Sequence, residues 1–334
     1  MNKITHKNQT KNFTEILNAI KHSKQNAYQS VNKILVELYY EVGKILSVKV
    51  ENANWGRSIV KELAEFIKRN EPNMQGFSER NLWRIKQFYE TYKDDTKLST
   101  LWRELSWSAN RVIMGLKTKE EREFYLLLAK QDRLSVRDLE RAIKTSTFER
   151  VMIANEKLST SVKELPQETT NVFKDSYVLE FLDLPPLHKE KDLQTALVSS
   201  LKDFILELGH GFAFIGQEYR VQVGNSDFFI DLLFYHRHLK CLVAIEIKTT
   251  PFKPADLGQL EFYLEALDQD VKTKEENPSI GILLCRQKDD EVVKYALNRS
   301  VSPTVITQYE TKLIPKDILK QKLNELYLQF ENKE

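Results

Sequence analysis

The sequence predicts a helical N-terminal domain followed by an α/β domain with a mixed central sheet. Three observations carry this. Apolar residues at three-and-four spacing dominate residues 13–150, strand-like apolar runs alternate with helical stretches from Phe173 onward, and a polar, weakly periodic stretch separates the two. The expected boundaries are 10–150 for the helical domain, 151–171 for a linker and 172–332 for the α/β domain.

In the first domain, AYQSVNKILVELYYEVGKILS sets Val31, Ile34, Leu35, Leu38, Val42, Ile45 and Leu46 at helical spacing. A second stripe follows between Trp55 and Arg69, through Ile59, Leu63, Phe66 and Ile67. After Pro72 and Gly76, FSERNLWRIKQFYETY reads as a helix capped by Ser78, with Leu82, Ile85, Phe88 and Tyr89 inward. Its other face carries Arg80, Arg84 and Gln87. A basic helix that follows a helix and a turn has the order of a helix-turn-helix recognition element, whose side chains suit phosphates and base edges. The alternative is a solvated helix face. LSVRDLERAIK is a second candidate of this kind, with Ser135 as cap and Arg137 and Arg141 on one face.

In the second domain, KEKDLQTALVSSLKDFILELG reads as one amphipathic helix closed by Gly209. Strand-like runs follow at FAFIGQEYRVQV, FFIDLLFY, CLVAIEIK, IGILLC and TVITQY. Helices are expected at DLGQLEFYLEALD, DDEVVKYALN and PKDILKQKLNELYLQF.

The chain has 334 residues, 41% hydrophobic and 29% charged, the profile of a globular protein. No apolar run approaches the roughly 20 residues of a membrane span, and the N-terminus lacks the apolar core of a signal peptide, so a cytoplasmic location is expected. Cys241 and Cys285 lie in apolar runs and read as buried thiols. The net charge of +2 hides a division. Residues 1–150 hold 28 Lys and Arg against 19 Asp and Glu, so the first domain is basic and the remainder acidic. A basic domain suits a polyanion, here nucleic acid.

Two strands carry charges where a buried strand should not. Asp231 interrupts FFI and LLF, while Glu246 and Lys248 interrupt LVAI and Ile247. A carboxylate removed from water without a partner is costly. Residues two apart on a strand share a face, and the short break HRHL lets the two strands pair antiparallel, bringing Asp231 near Glu246. Two close carboxylates repel unless a divalent cation lies between them, and oxygen ligands with open positions suit Mg²⁺ or Mn²⁺. Lys248 beside them would orient or help deprotonate a water, or neutralise charge developing at phosphorus. Together these are the needs of phosphodiester hydrolysis.

The spacing of Asp231 from Glu246-Ile247-Lys248 on adjacent apolar strands resembles the PD-(D/E)XK nuclease superfamily. Gln259 and Tyr263 in GQLEFYLEALD stand four apart on a helix, a placement resembling the Holliday-resolvase-like and tRNA-endonuclease-like branches. Over nearly the whole chain, segments such as ANWGRSIVKELA, GFSERNLWRIKQFYETY and the run from FILELGHG to EIK resemble the bacterial YhcG family. This resemblance implies a DNA-binding-like N-terminal domain and a restriction-endonuclease-like C-terminal domain. It also implies Asp231 and Glu246 as metal ligands, Lys248 as catalytic, and Gln259 and Tyr263 as supporting residues. One departure stands out. The family pattern has a Glu on the first core helix where this chain has Gln194, which leaves Asp192 or Glu190 as substitutes. Asp227 and Glu218 are further candidates, each with a surface carboxylate as the plainer reading. Lys253, in the loop after the catalytic strand, is a candidate phosphate contact, and the His236–His238 pair reads as a solvated turn.

The leading reading is a Mg²⁺- or Mn²⁺-dependent endonuclease acting on DNA, in defence against foreign DNA or in DNA processing. A non-catalytic nucleic-acid-binding protein and a tRNA-endonuclease-like RNase are the alternatives. A homodimer suits cleavage of both strands of a duplex, and a further protein partner is allowed for. No phosphate-binding glycine loop, GxSxG or HExxH is present.

Overall fold

A computed structural model of the protein describes residues 2–52, 56–95, 97–165, 169–185, 187–298 and 300–331. The chain divides into two compact units, Met1–Glu140 and Arg141–Glu334.

The first unit is helical throughout. It comprises α1 (Asn2–Asn52), α2 (Arg57–Asn70), α3 (Glu79–Tyr92), α4 (Ser99–Trp102), α5 (Trp107–Ile113), α6 (Lys119–Gln131) and the first part of α7 (Val136–Lys144). Ser78 caps α3 as expected, its hydroxyl accepting the Asn81 N–H, and the Ser135 hydroxyl likewise accepts the Asp138 N–H. Leu82, Ile85 and Phe88 are fully buried against α1 and its neighbours, where rings of Tyr40, Phe88 and Trp102 interlock. Helices α1 and α3 touch backbone to backbone at Gly43, where a Cβ would stand 2.4 Å from the Ile85 carbonyl oxygen. Only glycine permits that approach.

Two readings of this unit change. Of the apolar residues read at helical spacing on α1, Leu35, Val42 and Leu46 face the core, whereas Val31, Ile34, Leu38 and Ile45 are exposed. Phe66 on α2 is exposed as well. Trp55, at the head of the second stripe, lies outside the described residues.

The second unit holds the rest: α8 (Thr147–Lys157), α9 (Thr160–Lys163), β1 (Ser176–Val178), α10 (Glu190–Ser199), α11 (Leu201–Leu208), β2 (Phe212–Val223), β3 (Ser226–His236), β4 (Cys241–Pro251), α12 (Ala255–Asp270), β5 (Ile280–Gln287), α13 (Asp290–Leu297), β6 (Thr304–Glu310) and α14 (Lys316–Glu331). The six strands form one mixed sheet in the order β1-β6-β5-β4-β3-β2. β1, β6, β5 and β4 are mutually parallel, and β3 and β2 add antiparallel hairpins at one edge. On one face, Leu193, Leu197, Phe204 and Leu208 of α10 and α11 pack on Leu232, Phe234, Val243 and Ile245. On the other, Leu257, Leu260, Leu264 and Leu267 of α12 cover Ile230, Leu233, Ala244 and Leu283.

The stretch 151–171, expected as a linker, contains most of α8 and all of α9. Two ion-pair networks adjoin it, one built on Arg150 just before it and one that takes Lys157 from within it. Arg150 is fully buried and donates to Glu207, to the carbonyls of Thr145 and Ser176, and to the hydroxyls of Thr145 and Thr147. Glu207 also accepts from the Val178 N–H at 2.9 Å and from Arg141 at 3.3 Å. Arg141 is therefore a structural cation, bonded in addition to Glu180, and not the free helix-face arginine expected of it. The second network centres on Asp175, which accepts from Lys288 at 2.6 Å, Lys157 at 3.0 Å and Lys322 at 3.2 Å. These hold α8 and α14 to the sheet. The single helix expected over α10 and α11 breaks at Ser200, and the three-residue β1 is too short to show a strand pattern.

Burial raises the Asp175 carboxyl, but Lys288, Lys157 and Lys322 outweigh it and hold the group well below its ordinary 3.8. A carboxylate with a depressed folded pKa contributes stability that is complete above the unfolded value and lost as pH falls through the folded one. Asp175→Asn should therefore cost about 3–5 kcal/mol in urea denaturation at neutral pH. The difference between parent and variant should shrink as the pH is taken below 3.8.

Candidate active site

The site is built where the sheet's pairing fails. β3 and β4 pair from His236↔Cys241 to Leu232↔Ile245, and the ladder ends there. One step further would set Asp231 opposite Glu246. Instead Asp231 Oδ2 accepts the Ile247 N–H at 2.8 Å, replacing a ladder bond with a side-chain bond. On the other edge, Gln217↔Leu232 and Tyr219↔Ile230 flank Glu218, whose φ of +45° marks the irregularity. The Asp231 carbonyl is satisfied by the Gln194 side-chain amide at 2.8 Å. Gln194, which stands where a Glu is expected, thus fastens α10 to the backbone of the first carboxylate.

Glu246 and Lys248 alternate with Ile245 and Ile247 and so face the α12 side of the sheet. Lys248 Nζ lies 2.8 Å from Glu246 Oε1. Glu246 is buried, and its Oε2 takes no hydrogen bond. Burial and then the neighbouring Asp231 push the Glu246 carboxyl up to about 7 against the pull of Lys248. Burial raises Asp231 as well, with Glu190 and Glu218 adding to it. Burial acts to lower the Lys248 ammonium, but the bond to Glu246 outweighs it and the group stays protonated. Both partners of this ion pair rise: Glu246 because burial and then Asp231 outweigh Lys248, and Lys248 because Glu246, Glu190 and Asp231 together outweigh burial.

Gln259 and Tyr263 are joined on α12, the amide donating to the hydroxyl at 2.7 Å. Tyr263 is buried, and its hydroxyl is raised first by burial and then by Glu246 and Asp231, which places it in the field of the site. The structure also separates the substitutes for the first-helix Glu. Asp192 is spent on the start of α10, accepting the Lys189 N–H at 3.0 Å. Glu190 acts electrostatically on Asp231, Glu246 and Lys248. Glu218 acts on Asp231, whereas Asp227 is held by Arg220 at 2.7 Å in an exposed pair.

His236 is not in a solvated turn. It is buried at the base of the β3–β4 hairpin, accepting the Leu239 N–H at 3.1 Å on Nδ1 and bonding the His210 carbonyl through Nε2. Burial lowers it to about 4, so it is neutral. Lys253 is exposed at the entry to α12, where its N–H donates to Asp256. In the first unit, Arg80 and Gln87 line an open groove of about 670 Å³ with Trp83, Lys86, Glu79 and Glu90. Arg84 is not in that lining. Its pKa is lowered by burial, then by Arg111 and Arg80, which makes Arg111 a third cation of this patch that spacing alone could not supply.

Two adjacent carboxylates, one with a buried oxygen lacking any partner, fit a divalent cation better than they fit each other. No cluster of three or more His, Cys, Asp or Glu fit to hold a metal is present among the described residues. Asp231 and Glu246 would therefore hold such an ion with water completing its shell, as suits Mg²⁺.

Residues 170–324 match the YhcG PDDEXK nuclease domain, and residues 15–150 match the DUF1016 N-terminal domain. The chain is 29% identical over 336 residues to "Putative nuclease YhcG" of Escherichia coli (strain K12), covering 89% of each. The chain is also similar to the crystal structure of a repair endonuclease from Pyrococcus abyssi, at 16% identity and a TM-score of 0.26 over 39% of this chain and 50% of that one.

In metal-free protein, the Glu246 carboxyl should titrate near 7 by carbon NMR. Asp231→Asn should move that midpoint down, because the adjacent negative charge is gone. A Glu246 midpoint unchanged in the variant would mean that the two carboxyls do not interact.

Proposed function

The chain belongs to the YhcG family of PDDEXK-type nucleases, and from that premise we propose that it is a divalent-metal-dependent endonuclease of DNA whose reacting set is Asp231, Glu246 and Lys248. The observation that carries this reading is the buried Glu246 carboxyl, with one oxygen on Lys248 and the other free, beside Asp231 at the end of the β3–β4 ladder. Hydrolysis joins a water oxygen to phosphorus while one ester P–O bond breaks, giving a phosphate monoester and a hydroxyl. A bound Mg²⁺ or Mn²⁺ supplies a lowered water pKa and positive charge for the phosphoryl oxygens.

The side chains divide the remaining work. Asp231 and Glu246 hold the cation. Lys248, kept protonated by Glu246, is suited to neutralise a phosphoryl oxygen in the transition state and not to accept a proton. Gln259 fixes the Tyr263 hydroxyl, and Gln259 is exposed enough to meet substrate. Gln194 and the Ile247 N–H hold Asp231 in place from both ends, through its carbonyl and its carboxylate. On the first unit, Arg80, Arg84 and Arg111 form a cationic patch suited to phosphates, with Gln87 near it. Lys253 stands where the loop after β4 enters α12 and suits a further phosphate. Cutting both strands of a duplex calls for two such sites, hence two copies of the chain.

Purified protein should cleave plasmid or linear duplex with Mg²⁺ or Mn²⁺ and fail to do so in EDTA. Asp231→Ala and Lys248→Ala should each reduce cleavage by at least about a thousandfold while leaving the circular-dichroism spectrum intact. Parent-like cleavage by either variant would remove the site assignment. Cleavage of RNA alone would transfer the site to an RNase reading, and binding without cleavage on any substrate would favour the non-catalytic alternative. Arg80→Ala with Arg84→Ala should weaken nucleic-acid binding and reduce its salt slope by about 2, one for each phosphate that is no longer neutralised. An unchanged slope would show that this face does not meet phosphate.

A further inference from the structure

The outward face of α1 has no role in the site described above, and it is apolar over most of its length. From Phe13 to Val31 every side chain whose exposure is described is exposed. Val31 and Ile34 each expose 65% of their surface and Ile45 exposes 60%. A helix of this length gains most of its stability from packing an apolar face, so this face implies a cover.

The spacing identifies the cover. The exposed apolar residues fall at alternating intervals of three and four, through Leu17 and Ile20, then Ala27, Val31, Ile34 and Leu38, then Ile45 and Val48. This is a heptad repeat, the 3.5-residue period of a helix lying along another helix. The core-facing residues Val36, Tyr39 and Leu46 fall at other heptad positions, so the seam is separate from the face buried within the unit. From Leu17 to Val48 the seam is about 47 Å long at 1.5 Å per residue. Charges interrupt it twice, with Lys24 at one seam position and Glu41 at another, both exposed.

We propose that α1 is the interface between two copies of this chain, packed antiparallel along this heptad face with Lys24 of one copy opposite Glu41 of the other. An antiparallel pair sets each a position against a d position. When Lys24 is placed opposite Glu41, every other seam position also meets an apolar one. Leu17 meets Val48, Ile20 meets Ile45, Ala27 meets Leu38, and Val31 meets Ile34 about the twofold axis. A parallel pair in register would set Lys24 against Lys24 and Glu41 against Glu41, like charges in an apolar seam. The face is thus self-complementary in one direction only, as a twofold interface requires. The inference is independent of the nuclease reading, since it concerns no residue of the site.

Sedimentation equilibrium of the full chain tests it. The expected mass is twice the 39.2 kDa of one chain at micromolar concentration. Ile34→Asp, at an exposed position, should yield a folded monomer. Lys24→Glu and Glu41→Lys should each weaken the dimer roughly tenfold or more, and the double swap should restore parent affinity, since only an antiparallel register lets the exchanged charges meet. A monomeric parent would overturn the proposal, as would a dimer that survives Ile34→Asp. A dimer that each single swap weakens but the double swap does not restore would overturn the antiparallel register.

Discussion

The geometry of the second unit depends on the point where the β3–β4 ladder stops. Had pairing continued one residue further, Asp231 and Glu246 would be opposite members of a regular sheet, with both backbones bonded to each other and both side chains crowded. The ladder ends instead at Leu232↔Ile245, and the freed backbone groups find other partners: the Ile247 N–H takes the Asp231 carboxylate, and the Asp231 carbonyl takes Gln194. Each substitution satisfies a polar group that burial would otherwise leave costly. The result is a small opening in a close-packed sheet, lined by acidic groups and one ammonium.

Charge in that opening is deliberately unbalanced. Asp231 and Glu246 are supplemented by the fields of Glu190 and Glu218, while Lys248 is the one cation hydrogen-bonded there. Elsewhere in the same unit the balance is reversed. Asp175 has three lysines, and Glu207 has two arginines. Structural ion pairs here surround each carboxylate with excess positive charge and depress its pKa. The candidate site does the opposite: burial and neighbouring carboxylates raise its acids, and perturbed groups of this kind gather at functional sites.

Much of this was legible in the sequence, for a physical reason. A charge inside an apolar strand is expensive enough to stand out from its neighbours, so Asp231, Glu246 and Lys248 announce themselves. The strands flanking them are long enough to carry an apolar pattern, and β2 coincides with the run FAFIGQEYRVQV. What could not be read were features set by contacts between distant residues. Nothing in 151–171 betrays that Arg150 just before it is buried against Glu207 from far along the chain, or that Lys157 within it is held by Asp175. Glu190 and Asp192 are equivalent as neighbouring acids until the start of α10 is seen to use one of them. Helical spacing on α1 grouped into one set residues that lie on two apolar faces, because periodicity gives the angle between residues and not which angle faces the core.

Domain-family boundaries place a natural cut near residue 150, yet the fold ignores it. Arg141 and Arg150 lie N-terminal to the matched nuclease segment and supply both of the guanidinium partners that Glu207 has. A fragment begun at residue 170 would keep every residue of the candidate site and lose both guanidinium partners of Glu207, a fully buried carboxylate of α11, leaving it Lys174 alone. It would also lose Lys157 from the cluster at Asp175. The compact unit that holds the candidate site thus begins at Arg141, ahead of the matched nuclease segment, and its first ten residues fall, by sequence, within the segment matched by the neighbouring domain.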